Sequence, residues 1–273
     1  MRRFPLLLMA ALFLVFAGCA EDAPTINDSG ATVLADAGYY PTLPESRWLY
    51  RIDSIRGGQT QTGVAEVRAL TLPTTFANDS VEYRVQVNEV RSGATVEYDT
   101  LYVRKGEDGV RLSSPGLQAL SGIPAIPGIN ISEIPRDFLI VPYTTFQGSW
   151  DIFNLEFSPL PIFTLYFRVK GKYLGLTDVT TAMRTFRQCA RVQLTFEALF
   201  PNPENPTDFL NPIRLNETAD FYFTRPQGLV LAEGSAAVFR LLRGDLPLDR
   251  SFPRVRQEVT DLAITQPDPF CLK

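Results

Sequence analysis

The sequence predicts an all-β fold with a minor share of α-helix, in which a single strongly curved antiparallel sheet forms a half-barrel or a flattened barrel. Apolar and polar residues alternate in long runs such as "VEYRVQVNEV" (81–90) and "ARVQLTFEALF" (190–200), and this period of two is typical of half-buried antiparallel strands. Turn sequences with glycine, such as "RSGA" (91–94) and "GEDGV" (106–110), separate the runs. About a dozen strands result, and a sheet of more than roughly ten strands must curl, close or split.

The alternation divides each run into two faces. The apolar face of the first run holds Tyr83, Val85 and Val87, and its polar face holds Glu82, Arg84, Gln86 and Asn88. The apolar face of the second run holds Val192, Leu194, Phe196 and Ala198. Since an antiparallel strand commonly packs one face on the core and leaves the other in water, we expect the apolar faces to lie inside.

The strands follow one another without a break in composition, which favours one β domain over residues 39–273. Strands are predicted near residues 46–56, 62–71, 80–91, 95–105, 109–113, 137–142, 149–157, 162–174, 185–199 and 218–225, with a hairpin over 228–243 and a last strand near 254–264. The hairpin is predicted because "AEGSA" (232–236) separates two apolar runs.

The N-terminus has the features of a secretion signal. Arg2 and Arg3 precede a run of fourteen mostly apolar residues, 4–17, which is shorter than the roughly 20 that a membrane-spanning helix needs. The following "FAGC" resembles the lipobox of bacterial lipoproteins. That resemblance implies a lipoprotein signal peptide over 1–18 and a lipid on Cys19, which would anchor the chain in a membrane. The alternative is an ordinary signal peptide in which the cysteine is incidental.

Residues 19–38 are small and polar, which predicts a flexible tether after the lipidated Cys19. Ala20 stands where lipoproteins retained in the inner membrane typically carry aspartate, so the resemblance implies the outer membrane. Glu21 and Asp22 resemble an acidic signal for export to the cell surface, or they only make the tether soluble. The expected location is therefore the outer membrane, on the periplasmic face or the cell surface.

Composition excludes several classes of function. The chain has no histidine, which excludes Ser-His-Asp catalysis and zinc sites built on imidazole. After removal of 1–18 it holds 24 basic and 30 acidic residues, a net charge of −6, so no nucleic-acid partner is expected. Glu97 and Asp99 share a strand face but are expected to be solvated beside arginines. We expect no enzyme, no catalytic residue, no metal and no cofactor.

Two cysteines remain besides Cys19. Cys189 and Cys271 are predicted to form a disulfide, as an exported chain with an even number of remaining cysteines permits. The alternative is a buried core thiol at Cys189 and a free thiol at Cys271.

Two long segments interrupt the strands, and long loops on a β scaffold often carry binding sites. The segment 113–137 is rich in proline, glycine and isoleucine and is apolar enough for a lid over a cavity. The segment 200–218 is polar and contains four prolines. Both could also be insertions that close the open end or edge of the sheet.

Four stretches in order resemble a group of small bacterial outer-membrane lipoproteins of unassigned function. They are "YYPTLPESRWLYRIDSI" (39–55), "VPYTTFQGSW" (141–150), "VKGKYLGLTDVTTAMRTFRQCARVQLTF" (169–196) and "FYFTRPQGLVLAEG" (221–234). The resemblance implies core or turn roles for Trp48, Trp150, Phe186, Cys189 and Gly228. The chain departs from the pattern at Thr181-Ala182-Met183 and at Arg225-Pro226-Gln227, which affects local turns.

These observations favour a lipid-anchored envelope lipoprotein that acts as a non-catalytic binding module. Its expected partner, besides the membrane, is a hydrophobic small molecule held in the concavity of the sheet. The alternative is a structural or accessory protein that contacts an envelope protein within an outer-membrane or surface complex.

Overall fold

The computed structural model describes residues 25–26, 32–33, 40–41, 44–75, 81–106, 108–115, 136–142, 144–145, 149–160, 163–201, 211–225, 227–245, 247 and 249–264. The described strands are β1 (Thr25–Ile26), β2 (Thr32–Val33), β3 (Arg47–Arg56), β4 (Gln59–Thr75), β5 (Glu82–Ser92), β6 (Thr95–Lys105), β7 (Gly109–Ser113), β8 (Phe138–Pro142), β9 (Thr144–Thr145), β10 (Ser149–Leu160), β11 (Phe163–Thr180), β12 (Thr185–Phe200), β13 (Ile213–Thr224), β14 (Gly228–Ser235) and β15 (Arg254–Ala263). One helix, α1 (Ala236–Leu242), lies between β14 and β15.

Twelve of these strands form one antiparallel sheet in the order β10-β11-β12-β13-β14-β15-β3-β4-β5-β6-β7-β8. The sheet curls into a nearly closed barrel with one unsealed seam, between its edge strands β8 and β10. This confirms the predicted fold class. The short strands β1, β2 and β9 form a separate three-stranded sheet.

Several sequence predictions lie wholly or largely outside the described residues. These are the signal peptide, the lipid anchor at Cys19, most of the tether, the greater part of the segment 113–137, residues 202–210 of the segment 200–218, and Cys271. Every contact that the structure describes is made between residues 25 and 264, so the chain from Ala20 to Lys273 retains all of them.

The predicted hairpin over 228–243 is wrong in its second half. Only β14 forms there, and the chain then enters α1. Ser235 caps this helix, because its side-chain oxygen accepts a hydrogen bond from the backbone N–H of Ala237 at 3.3 Å. The sequence after the cap, "AAVFRLL", is rich in strong helix formers. The serine thus acts as a helix cap and not as a turn residue.

The two alternating runs behave differently. In β12 the prediction is confirmed, because Val192, Leu194, Phe196 and Ala198 are all buried. In β5 the faces are reversed: the side chains of Gln86 and Asn88 are only 2% and 8% exposed, whereas Val85 and Val87 are half-buried. Tyr83 is buried too, but its hydroxyl pairs with Asp137 outside both core clusters. The interior wall at β5 is therefore polar.

The buried apolar residues form two clusters. The larger one lines the barrel between β6–β8, β10–β14 and α1, and includes Leu194, Phe196, Phe221 and Leu241. The smaller one joins β3 and β4 to the β11–β12 hairpin through Trp48, Tyr50, Phe186 and Cys189.

Trp150 bridges the seam. Its indole N–H donates a hydrogen bond to the backbone carbonyl of Leu139 in β8, with an N to O distance of 3.2 Å. Its ring lies over Gly171, its cross-strand partner in β11, so closely that a Cβ at Gly171 would stand 2.2 Å from two ring carbons. Phe153 of β10 and Phe138 of β8 stack across the same seam, with ring centroids 6.4 Å apart. Side-chain contacts thus connect β8 and β10, the two edge strands that backbone hydrogen bonds do not pair.

Candidate functional site

The barrel contains a cavity of about 110 Å³. An engineered protein cavity of roughly 150 Å³ holds a benzene molecule, so this one has room for a ring or for part of an acyl chain. One wall is apolar and is formed by side chains of β12, β13, β14 and α1: Val192, Leu194, Phe221, Phe223, Leu229, Phe239 and Leu242. Leu101, Leu112 and Ile140 continue this lining on β6, β7 and β8.

Another part of the lining, the polar wall, carries polar side chains. Gln86 and Asn88 of β5 line the cavity together with Arg243 and Gln257. The Tyr40 hydroxyl donates a hydrogen bond to Gln86 Oε1 at 3.0 Å, which satisfies that oxygen. Asn88 Oδ1 is buried and accepts no hydrogen bond from any residue that the structure describes. A buried polar atom without a partner costs free energy, so native proteins rarely keep one without a reason.

A charged pair lies next to Asn88. Asp99 of β6 is the direct cross-strand partner of Asn88, and its Oδ2 lies 3.3 Å from Nε of Arg243, the C-cap of α1. Asp99 Oδ2 forms no geometrically acceptable hydrogen bond within the described ranges, so the contact with Arg243 is one of charge. Burial raises the pKa of Asp99, and the positive charge of Arg243 opposes this rise.

This position corrects the expectation that Asp99 is solvated with Glu97. Glu97 is exposed, but the Asp99 side chain is only 20% exposed. The difference follows from α1, which is capped at its C-terminal end by Arg243 and brings this partly exposed arginine next to Asp99. The sequence pattern predicts a strand where α1 lies, and a strand would not bring Arg243 next to Asp99. The ion pair was therefore not predicted.

Aromatic side chains hold the strands around the cavity. The Trp48 indole donates to the carbonyl of Gln227 at 2.7 Å, and the Tyr50 hydroxyl donates to the carbonyl of Leu229 at 2.8 Å. Both side chains line the cavity and join β3 to the end of the β13–β14 connection and the start of β14. Gly228, the first residue of β14, has φ +81°, a conformation that glycine adopts without strain.

A second buried charge cluster lies away from the cavity. The Asp137 carboxylate accepts hydrogen bonds from the Tyr83 hydroxyl at 2.8 Å, from Arg104 Nε at 2.6 Å and from Arg111 Nη1 at 2.9 Å. Burial acts to raise the pKa of Asp137, but the three donors hold it below its usual range. All polar atoms of this carboxylate are thus satisfied by the fold, and we assign it a structural role in attaching β8 to β5, β6 and β7.

The residues singled out by the sequence occupy three different places. Trp48 lines the cavity, Trp150 lies in the seam, and Phe186 and Cys189 pack in the smaller cluster. Cys189 is fully buried, with Sγ 3.6 Å from the carbonyl oxygen of Phe186, and burial raises the pKa of its thiol to about 11. Cys271 lies outside the described residues, so the disulfide stays a prediction.

Gln86, Asn88 and Arg243 line the cavity, and Asp99 lies beside Asn88; none of the four is predicted from the sequence as a site residue. The alternation of valines with polar residues in β5 predicts the opposite face for Gln86 and Asn88, so no local pattern identifies them as cavity residues.

Two further properties concern the described part of the chain alone. It contains no group of three acidic or cysteine side chains placed to hold a metal ion. It also contains no helix whose length and hydropathy would allow it to cross a membrane.

No protein-family profile matches the chain, and no curated protein matches it. Two solved structures are similar to it. One is a protein described as exported, with a YmcC-like fold, from Bacteroides fragilis, with 9% identity and a TM-score of 0.41. The other is described as a lipoprotein, from Parabacteroides distasonis, with 13% identity and a TM-score of 0.41. Each alignment covers 82% of this chain and 98% of the other. Similarity of this degree establishes neither a family nor a function.

Proposed function

We propose that the protein is a lipid-anchored lipoprotein of the outer membrane that binds a hydrophobic or amphiphilic small molecule in its barrel without catalysis. The cavity is the observation that carries this proposal. Its walls come from strands on opposite sides of the barrel and from α1, and one wall is apolar while the other is polar. Ligand sites are commonly apolar concavities with a few convergent polar groups, and this cavity has that composition.

The signal sequence and Cys19 supply the location in this proposal. A lipid on Cys19 would hold the barrel at the membrane surface, where amphiphiles are plentiful. The tether would leave the barrel free to approach the lipid headgroups. Neither the anchor nor the ligand requires a cofactor or a metal.

Native mass spectrometry tests the proposal. The chain from Ala20 to Lys273 is incubated with an envelope lipid extract, and we expect a discrete adduct of one small molecule. Leu101→Trp replaces a leucine side chain of the cavity lining with a larger indole ring that fills the cavity, so the adduct should disappear. Tyr98→Trp is the matched control, because Tyr98 lies on the same strand and is 72% exposed. If the unsubstituted chain shows only the mass of the protein alone after incubation with every lipid fraction, the proposal is contradicted.

A second candidate is the accessory role in an envelope complex. Three exposed apolar side chains favour it: Val64, Val96 and Tyr98, which are 42%, 47% and 72% exposed on β4 and β6, the two strands on either side of β5. Val64 and Val96 flank Arg91 of β5 in the register. Cross-linking in intact membranes should capture a protein partner that Tyr98→Asp fails to capture. Absence of any cross-linked partner would count against this role.

A further inference from the structure

Two acceptor oxygens without hydrogen-bond donors lie close together here, one in the polar wall of the cavity, at Asn88, and one directly behind it, at Asp99. Asn88 Oδ1 and Asp99 Oδ2 are both buried, and neither receives a hydrogen bond from the residues that the structure describes. The two residues face each other across β5 and β6, so their side chains are close neighbours on the inner surface. Asn88 is 8% exposed and lines the cavity. Buried acceptor oxygens without a protein donor are suited to a ligand that carries a hydrogen-bond donor.

The charges around this position favour a neutral ligand. Asp99 and Arg243 lie 3.3 Å apart and offset each other. Because this ion pair is already neutralised, neither a carboxylate nor an ammonium head group beside Asn88 finds a free counter-charge there. Either ion would also lose its hydration in a cavity whose other walls are apolar, which is costly for a charge without its own partner. A hydroxyl group avoids both costs.

Resting on the proposed function, we infer that the cavity selects an uncharged amphiphile with a hydroxyl head group, such as a long-chain alcohol or a monoacylglycerol. The hydroxyl donates its hydrogen bond to Asn88 Oδ1, and the apolar chain lies between β12, β13 and α1. Asn88 is thereby the residue that determines specificity. Gln86 does not compete for this role, because Tyr40 already satisfies its oxygen.

Three probes with the same eight-carbon chain test the inference by calorimetric titration of the chain from Ala20 to Lys273. The probes are 1-octanol, its methyl ether, which accepts but cannot donate, and octanoate. We expect 1-octanol to bind about tenfold more tightly than the ether, since a buried acceptor left without a donor costs about 1–3 kcal/mol. Octanoate should bind more weakly than 1-octanol.

Asn88→Leu removes the acceptor, keeps the branching of the side chain and should lower the affinity for 1-octanol to that for the ether. Asn216→Leu, at an exposed position of β13, is the matched control and should change neither affinity. The comparison of probes on the unsubstituted chain stands even if Asn88→Leu does not fold. Equal binding of the alcohol and the ether, or tighter binding of octanoate, overturns the inference and leaves the proposed function intact. If no probe binds, and the lipid extract also yields no adduct, the proposed function is overturned together with it.

Discussion

The seam offers a quantitative prediction, because Trp150 closes it by lying directly over Gly171. Gly171→Ala adds a methyl group that would stand 2.2 Å from two carbons of the indole ring. Carbon atoms are in optimal contact at about 3.5–4.0 Å, so the ring must withdraw by at least about 1.3 Å. The hydrogen bond from Trp150 to the carbonyl of Leu139 is already 3.2 Å long, and this movement breaks it.

The expected loss of stability combines two effects. Overpacking of a well-filled site costs about 1–3 kcal/mol, and the broken hydrogen bond costs about 1 kcal/mol more. We therefore expect Gly171→Ala to lower the free energy of unfolding by about 2–4 kcal/mol. For a chain of this size the melting temperature should fall by roughly 5–15 °C.

Urea denaturation of the chain from Ala20 to Lys273 measures this loss, and Trp150→Ala supplies the control. With the ring removed the added methyl group has space, so Gly171→Ala should cost less than about 1 kcal/mol in that background. A neutral or stabilising Gly171→Ala in the presence of Trp150 would show that the indole ring does not lie tightly over Gly171. Equal costs in the two backgrounds would do the same.

Three further predictions concern buried polar and titratable groups. Asn88→Leu should raise the free energy of unfolding by about 1–2 kcal/mol in urea denaturation, because it removes a buried oxygen without a donor, and Asn216→Leu should leave it unchanged. An unchanged or lowered stability of Asn88→Leu would argue against an unsatisfied oxygen. The lowered pKa of Asp137 means that its stabilising effect is present above its unfolded pKa of about 4 and is lost as the pH falls through its folded pKa. Asp137→Asn should therefore be less stable than the unsubstituted chain at pH 7 and lose less stability between pH 4 and pH 2; equal losses in that window would contradict this. Cys189 should resist iodoacetamide at pH 8 in the folded chain, because burial both shields the thiol and raises its pKa to about 11. It should react after reduction and unfolding, and peptide mass spectrometry measures the labelling in both states. Rapid labelling of the folded chain would count against its burial.

The sequence predicted the architecture because strand periodicity is a local signal. β12 reads as alternating apolar and polar residues, and its apolar residues are indeed inside. The curvature followed from the number of strands, since so many strands do not form a flat sheet. Both properties can be derived without knowledge of which strands are neighbours.

The site could not be predicted in the same way, because it depends on contacts between distant segments. Val85 and Val87 lie on the outside and Asn88 on the inside, a reversal that hydrophobic pattern alone does not allow. Arg243 comes to lie next to Asp99 only because Ser235 starts a helix, and this partner is far away in sequence. The polar wall is therefore formed by contacts between residues that are far apart in the sequence.

A crystal structure of the chain from Ala20 to Lys273 grown with 1-octanol would show whether the barrel holds a hydroxyl amphiphile. We expect one molecule in the barrel, with its oxygen within hydrogen-bond distance of Asn88 Oδ1 and its chain against Leu194 and Phe221. A barrel interior filled by protein side chains, or an alcohol bound only on the outer surface, would contradict binding in the cavity.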